Sequence, residues 1–144
     1  MESRLRWAGG AAFMGLSSGG HTVVMDGPPE GGGRNLGPRP MEMLLLSMAA
    51  CSAYDVISIL RKSREDITDC EILISAKRAP DHPRVFTDIH LHFVVSGKNV
   101  KHHNIERAIK LSAEKYCSAS IMLGATAKIT HDFESVETEE SGAG

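Results

Sequence analysis

From Pro40 to Leu60 the chain is apolar in almost every direction around a helix axis. A helix of that kind has no face to offer to water, so it must lie at the centre of a fold or be covered by another subunit. Pro40 suits the first helical turn, and Arg61, Lys62 and Arg64 place positive charge where the helix dipole favours it. The longest apolar-rich run, Met43 to Ala53, falls short of the roughly 20 residues that span a bilayer. The segment therefore reads as a buried helix, and no membrane partner is expected. With 144 residues the chain has room for one core only. A small domain covers such a helix most easily by forming a homodimer.

The other elements are placed by alternation and punctuation. Three short strands, Arg4 to Trp7, Ala12 to Leu16 and His21 to Met25, are separated by Gly9-Gly10 and Gly19-Gly20 and read as a meander of hairpins. Gly27 to Pro40 is a proline- and glycine-rich loop. Its glycine triplet is not followed by Gly-Lys-Ser/Thr, which argues for a plain flexible connection rather than a phosphate cradle. Strands are expected at Asp69 to Ala79 and Val85 to Val95, with His90 and His92 on a polar face and Leu91, Phe93 and Val95 on a core face. An amphipathic helix is expected from His103 to Tyr116, then a short helix from Ser118 to Leu123 and a last strand from Ala125 to Phe133. The expected fold is α+β, one domain over 1–134, with 135–144 a disordered acidic tail.

Charge and leader signals narrow the function classes. A net charge of -2 with no basic run beyond a dipeptide leaves no electrostatic footprint for nucleic acid. No charged start leads into an apolar segment and a cleavage site, so a cytoplasmic location is expected. There the three cysteines should be reduced at rest, and any disulfide should be transient.

On the central helix, at about 100° per residue, Ser47, Asp55, Ser58 and Lys62 all fall within about 40° of Cys51. Cys51 thus sits on the single polar stripe of an apolar helix, whereas a structural thiol packs as a small hydrophobe. Spacing alone leaves both a core cysteine and a reactive one open. Cys117 directly precedes Ser118, the expected N-cap of the short helix, where a helix N-terminus would lower its pKa. It too can be read as a helix-end core residue. Cys70 has neither feature and reads as structural. The histidines, with no Cys or carboxylate at ligand spacing, read as solvated faces, so no metal is expected.

GPRPMEMLLLSMAACSAYDVISIL and EKYCSASIMLGATAKIT, with the opening WAGGAAFMG, resemble the cysteine motifs and N-terminal hairpin of the OsmC/Ohr family, the osmotically inducible and organic hydroperoxide resistance proteins. The resemblance runs from Leu5 to Phe133. It implies an OsmC-like fold, an antiparallel sheet with a buried central helix in an intertwined homodimer. It also implies a peroxidase, in which Cys51 attacks an organic hydroperoxide and Cys117 resolves the product as a disulfide. No cofactor is held; an external dithiol, lipoyl-linked in some members, restores the thiols. Family peroxidases carry a Glu directly after the helix proline, paired with an Arg that activates the thiolate. Here Met41 follows Pro40, so Glu42 and Arg39 are the candidates for those roles, with Arg34 a further loop cation. The Gly-Pro-x-Pro-Met-Glu start, and Ser118 where Cys-Pro is common, resemble a divergent branch. For it the alternative is a non-peroxidatic, redox-responsive binding protein using the apolar dimer cleft.

Overall fold

A computed structural model describes residues 1–139 of the chain, which fall into two compact units, one ending at Leu46 and the other starting at Ser47. The first unit is an antiparallel sheet of β1 (Arg4–Trp7), β2 (Phe13–Leu16) and β3 (Thr22–Met25) in that order. The β1–β2 turn uses Gly9 and Gly10 at φ of 89° and 53°, a region that side-chain-bearing residues avoid. Trp7 closes it by donating its indole N–H to the Gly10 carbonyl at 2.9 Å.

The loop after β3 is more ordered than a flexible connection. Asp26 is 1% exposed, and its carboxylate accepts the backbone N–H groups of Gly27 (2.8 Å), Arg34 (2.9 Å) and Leu36 (3.2 Å). Gly33 and Gly37 pass so close to the backbone of Gly27 and Val24 that a Cβ on either would collide with it. The glycines are there for close approach, and Asp26 is the hub around which the loop is wound. The Arg34 amide holds the Asp26 carboxyl below its ordinary pKa, with Leu36 and Gly27 adding to the effect and burial opposing it. A depressed carboxylate contributes stability that is complete above its unfolded pKa and is lost as pH falls through the lower folded value. Asp26→Asn is therefore expected to lower the melting temperature at neutral pH, because one amide oxygen cannot satisfy three donors. It should also flatten the acid limb of the stability profile. Thermal melts between neutral pH and about pH 3 check this; identical acid limbs for the two proteins would contradict it.

Helix α1 (Pro40–Lys62) begins and ends where its proline and basic residues indicate. The Glu42 side chain accepts the Arg39 backbone N–H at 3.0 Å, the backward arm of a capping box at the helix start. By length and by a mean hydropathy of 1.8 over its most apolar window α1 would suffice to cross a bilayer. Within the second unit, however, Met48, Ser52, Val56 and Leu60 form a fully buried stripe spaced every four residues. That is how a core helix packs.

In the second unit β4 (Asp66–Arg78) pairs antiparallel with β5 (Phe86–Lys98), and β6 (Lys128–Glu137) joins the other edge of β5 in parallel. The expected antiparallel sheet is thus two sheets, one antiparallel and one mixed. The reason is the connection: between β5 and β6 the chain forms α2 (His102–Leu111), a π-helical turn (Ser112–Tyr116) and α3 (Ser118–Leu123), a crossover long enough for parallel pairing. Ile89, Leu91, Phe93 and Val95 of β5 are buried with Ile105, Ala108 and Ile109 of α2. β6 continues past Phe133, so residues expected in an acidic tail from 135 are strand as far as Glu137. Of that tail, 140–144 lie outside the described residues.

The polar face of β5 is also more organised than its sequence suggests. His92 Nδ1 lies 2.6 Å from Asp132 Oδ1 and its Nε2 3.1 Å from Glu134 Oε2, while His90 Nε2 lies 2.9 Å from Asp132 Oδ1 and its Nδ1 2.6 Å from Thr130 Oγ1. Asp132, then Glu134, raises the His92 pKa, and His92 in turn lowers that of Asp132. These carboxylates lie some forty positions away and become neighbours only through parallel pairing.

Candidate active site

The structure brings Cys51 and Cys117 together. Cys51, in the middle of α1, has Asp55 one turn further along the same stripe, and Cys117 approaches from the start of α3. The two sulfur atoms and a carboxylate oxygen of Asp55 all lie within 4.8 Å of one another. Both cysteines and Cys70 are free thiols. Cys51 is half-buried, whereas Cys117 is completely enclosed.

The local structure explains how Cys117 gets there. The expected single helix from His103 to Tyr116 is α2 followed by the π-helical turn, in which the Cys117 N–H reaches back five residues to the Ser112 carbonyl at 2.8 Å. A π-turn inserts one residue into the helical progression and so re-aims the side chains beyond it. The N-cap of α3 is Cys117 itself, not Ser118: its sulfur accepts the Ser120 N–H at 3.4 Å. It also lies 3.9 Å from the Met48 carbonyl, to which the thiol donates. The expected lowering of the Cys117 pKa is not found. Burial pushes the thiol up, the Ser120 contacts pull it down by less, and the neighbouring Cys51 adds to the rise.

A hydrogen-bonded relay supports the carboxylate. Ser112 Oγ donates to Asp55 Oδ2 at 3.0 Å and lies 3.2 Å from Ser52 Oγ, with both serines buried. Since an ionised carboxylate only accepts, the direction is Ser52 to Ser112 to Asp55. On its outer side Asp55 lines a cleft of about 520 Å³ with Tyr54, Ser58, Lys62, Arg107 and Tyr116. The polar stripe of α1 therefore runs from Cys51 to the cleft wall.

Arg39 and Glu42 are brought to each other, with Arg39 Nη1 3.7 Å from Glu42 Oε1 and both side chains well exposed. They belong to the first unit and the thiols to the second. The capping bond gives Glu42 a structural occupation. Arg34 packs in the Asp26 loop, its Nη2 3.4 Å from the Ala8 carbonyl. Cys70, half-buried on β4, has its pKa raised by burial and by Asp69. It stands apart from the cluster. Ser52, Ser112 and Arg107 were not anticipated: Ser112 shows in the sequence only as a position on the amphipathic helix, and its polar role depends on what α1 presents to it.

The chain is similar to known proteins over nearly its whole length. Residues 31–132 match the model of the family described as OsmC-like protein. Protein YhfA of Escherichia coli K12 is 45% identical over 136 residues, covering 94% of this chain and 98% of that protein. A hypothetical protein from Aquifex aeolicus VF5 has the same fold at a TM-score of 0.85 and 31% identity, covering 96% of this chain and 97% of the other. The organic hydroperoxide resistance protein OhrB of Bacillus subtilis shares the fold at a TM-score of 0.64 and 19% identity, over 93% and 98% of the two chains. With the two thiols in place and the family model covering most of the described residues, the chain belongs to the OsmC-like protein family, in a branch with YhfA that diverges from the organic hydroperoxide resistance proteins.

Proposed function

We propose that the protein is a thiol peroxidase that reduces organic hydroperoxides in the cytoplasm, working as a homodimer. The observation that carries the reading is the pairing of a half-buried Cys51 with an enclosed Cys117 within 4.8 Å. The half-buried partner is the more accessible to a hydroperoxide, and in this reading the enclosed one resolves it. In the first step the Cys51 thiolate attacks the outer peroxide oxygen; the O–O bond breaks and, with one proton taken up, an alcohol leaves and Cys51 becomes a sulfenic acid. The Cys117 thiol then attacks that sulfur, releasing water and forming a disulfide. An external dithiol, of the lipoyl-linked kind in some family members, returns both cysteines to thiols and is itself oxidised to a disulfide.

Arg107 stands on the cleft wall with Asp55, where its charge suits the polar head of a substrate. A reducing compartment suits the cycle, because it returns the pair to free thiols between turnovers. The cleft beside Asp55 combines Tyr54, Ile59, Leu111 and Tyr116 with its charges, which suits a substrate with an apolar body and a polar head.

The test is a comparison of the rates at which a bulky organic hydroperoxide and hydrogen peroxide oxidise the reduced protein. The organic substrate is expected to react at least about tenfold faster, the discrimination one well-placed apolar group supplies. Equal rates, or rates no greater than those of a free thiol, would leave the redox-responsive binding protein as the better reading.

A further inference from the structure

We propose that the reduced Cys51, Asp55 and Cys117 form a binding site for a thiophilic divalent cation of the zinc class, one per chain. The three donors, two sulfurs and a carboxylate oxygen, lie within 4.8 Å of one another. Metal–sulfur distances of about 2.3 Å and metal–oxygen distances of about 2.1 Å give tetrahedral edges of roughly 3.6–3.8 Å. Binding would draw the donors together by side-chain rotation to reach those edges. Cys51 and Asp55 sit one helical turn apart on α1, the separation at which two side chains meet on one face.

Two further features separate this cluster from an accidental one. The Ser52 to Ser112 to Asp55 relay fixes the carboxylate from behind, as the outer hydrogen bonds of metal ligands do. The Ser120 N–H holds the Cys117 sulfur at the start of α3. Metal binding would release the two thiol protons, and a dication would compensate the thiolates so formed together with the carboxylate. Asp55 also borders the cleft, from which water would supply the fourth ligand that a three-ligand site needs.

The inference concerns the same thiols as the peroxidase reading but does not depend on it. If both hold, hydroperoxide expels the metal: two metal-bound thiolates, one hydroperoxide and two protons give one disulfide, one alcohol, one water and the free cation. Metal occupancy would then mark the reduced, unchallenged protein.

Anaerobic titration of the reduced protein with Co²⁺ is the test. One equivalent per chain should develop a near-ultraviolet thiolate-to-cobalt charge-transfer band with the visible bands of tetrahedral cobalt, and Zn²⁺ should erase both. The band should be lost in Cys117→Ser and in Asp55→Asn and kept in Cys70→Ser. In Ser112→Ala it should require about tenfold more metal, the usual effect of removing a hydrogen bond behind a ligand. Absence of the band in the wild type, or its survival in Cys117→Ser or Asp55→Asn, would overturn the site. Cobalt binding without any reaction with hydroperoxide would keep the metal site and remove the peroxidase; reaction with hydroperoxide without cobalt binding would do the opposite.

Discussion

Cys51→Ser is expected to reduce organic hydroperoxide consumption by roughly a hundredfold or more, the consequence of removing the nucleophile itself. The two thiols have unequal surroundings, and the prediction uses that inequality. Cys51 is half-buried, while Cys117 is enclosed and its thiol is held up by burial. A hydroperoxide should therefore meet Cys51 first. In Cys117→Ala the first step survives but no partner lies within reach, so Cys51 should accumulate as sulfenic acid and then over-oxidise. In Cys51→Ser neither sulfenic acid nor disulfide should form. Cys70→Ser serves as the control and should stay within about twofold of wild type, because burial and Asp69 keep that thiol protonated. Peptide mapping after a hydroperoxide pulse reads all of these. Sulfenic acid trapped on Cys117 would reverse the assigned roles, and a loss in Cys70→Ser as large as in Cys51→Ser would mean that the wrong pair had been chosen.

Each thiol had a local signal in the sequence, but that signal left a core reading open for both, and only the family resemblance paired them. Cys51 stood on the one polar stripe of an apolar helix, and the structure places Asp55, Ser58 and Lys62 of that stripe at the site or on its cleft wall. Cys117 was marked by its position at a helix boundary. The balance of forces at that boundary was out of the sequence's reach. The helix end favours a thiolate, but complete enclosure disfavours it, and enclosure is a property of packing. Ser112 was hidden for a related reason: a π-turn has no periodicity signature, so the polar side chains it turns inward look like any others on an amphipathic helix.

Element boundaries matched the punctuation closely, from the three short strands to both ends of α1. The direction of β6 did not, because alternation in a strand is the same whether its neighbour runs parallel or antiparallel. Only the length of the intervening helices carried that information. The Asp26 loop shows the complementary limit. Proline and glycine marked it as irregular, yet its backbone is wound on one buried carboxylate that accepts three of its N–H groups. The residue responsible is a lone aspartate at a strand end, a position where aspartate is common for many reasons.

The protein is expected to have no stable folded monomer, because the first unit cannot cover its own apolar surface. Among its described residues only Ala12 and Asp26 are buried. Pairing of Leu5 with Gly15 and Trp7 with Phe13, and of those with Val23 and Met25, puts Leu5, Trp7, Phe13, Val23 and Met25 on one face of the sheet. On that face Leu5 is 60% and Trp7 70% exposed. Three four-residue strands with an open apolar face do not hold together in water without something packed on them. On α1, Leu44, Leu46 and Tyr54 are similarly exposed, as an all-round apolar helix requires when only one stripe of it is covered. A second copy of the chain is the proposed cover, since an isologous pair supplies the same apolar face twice and lets core and interface merge. Covering a large apolar side chain is worth about 1.5–3 kcal/mol, and about 1.4 kcal/mol is tenfold in a dissociation constant. Trp7→Glu should therefore raise the dissociation midpoint at least about tenfold, with loss of folded structure accompanying dissociation. Sedimentation at low micromolar concentration, read together with circular dichroism, decides it. The wild type should sediment as two chains, and a monomer that keeps its fold would sink the proposal.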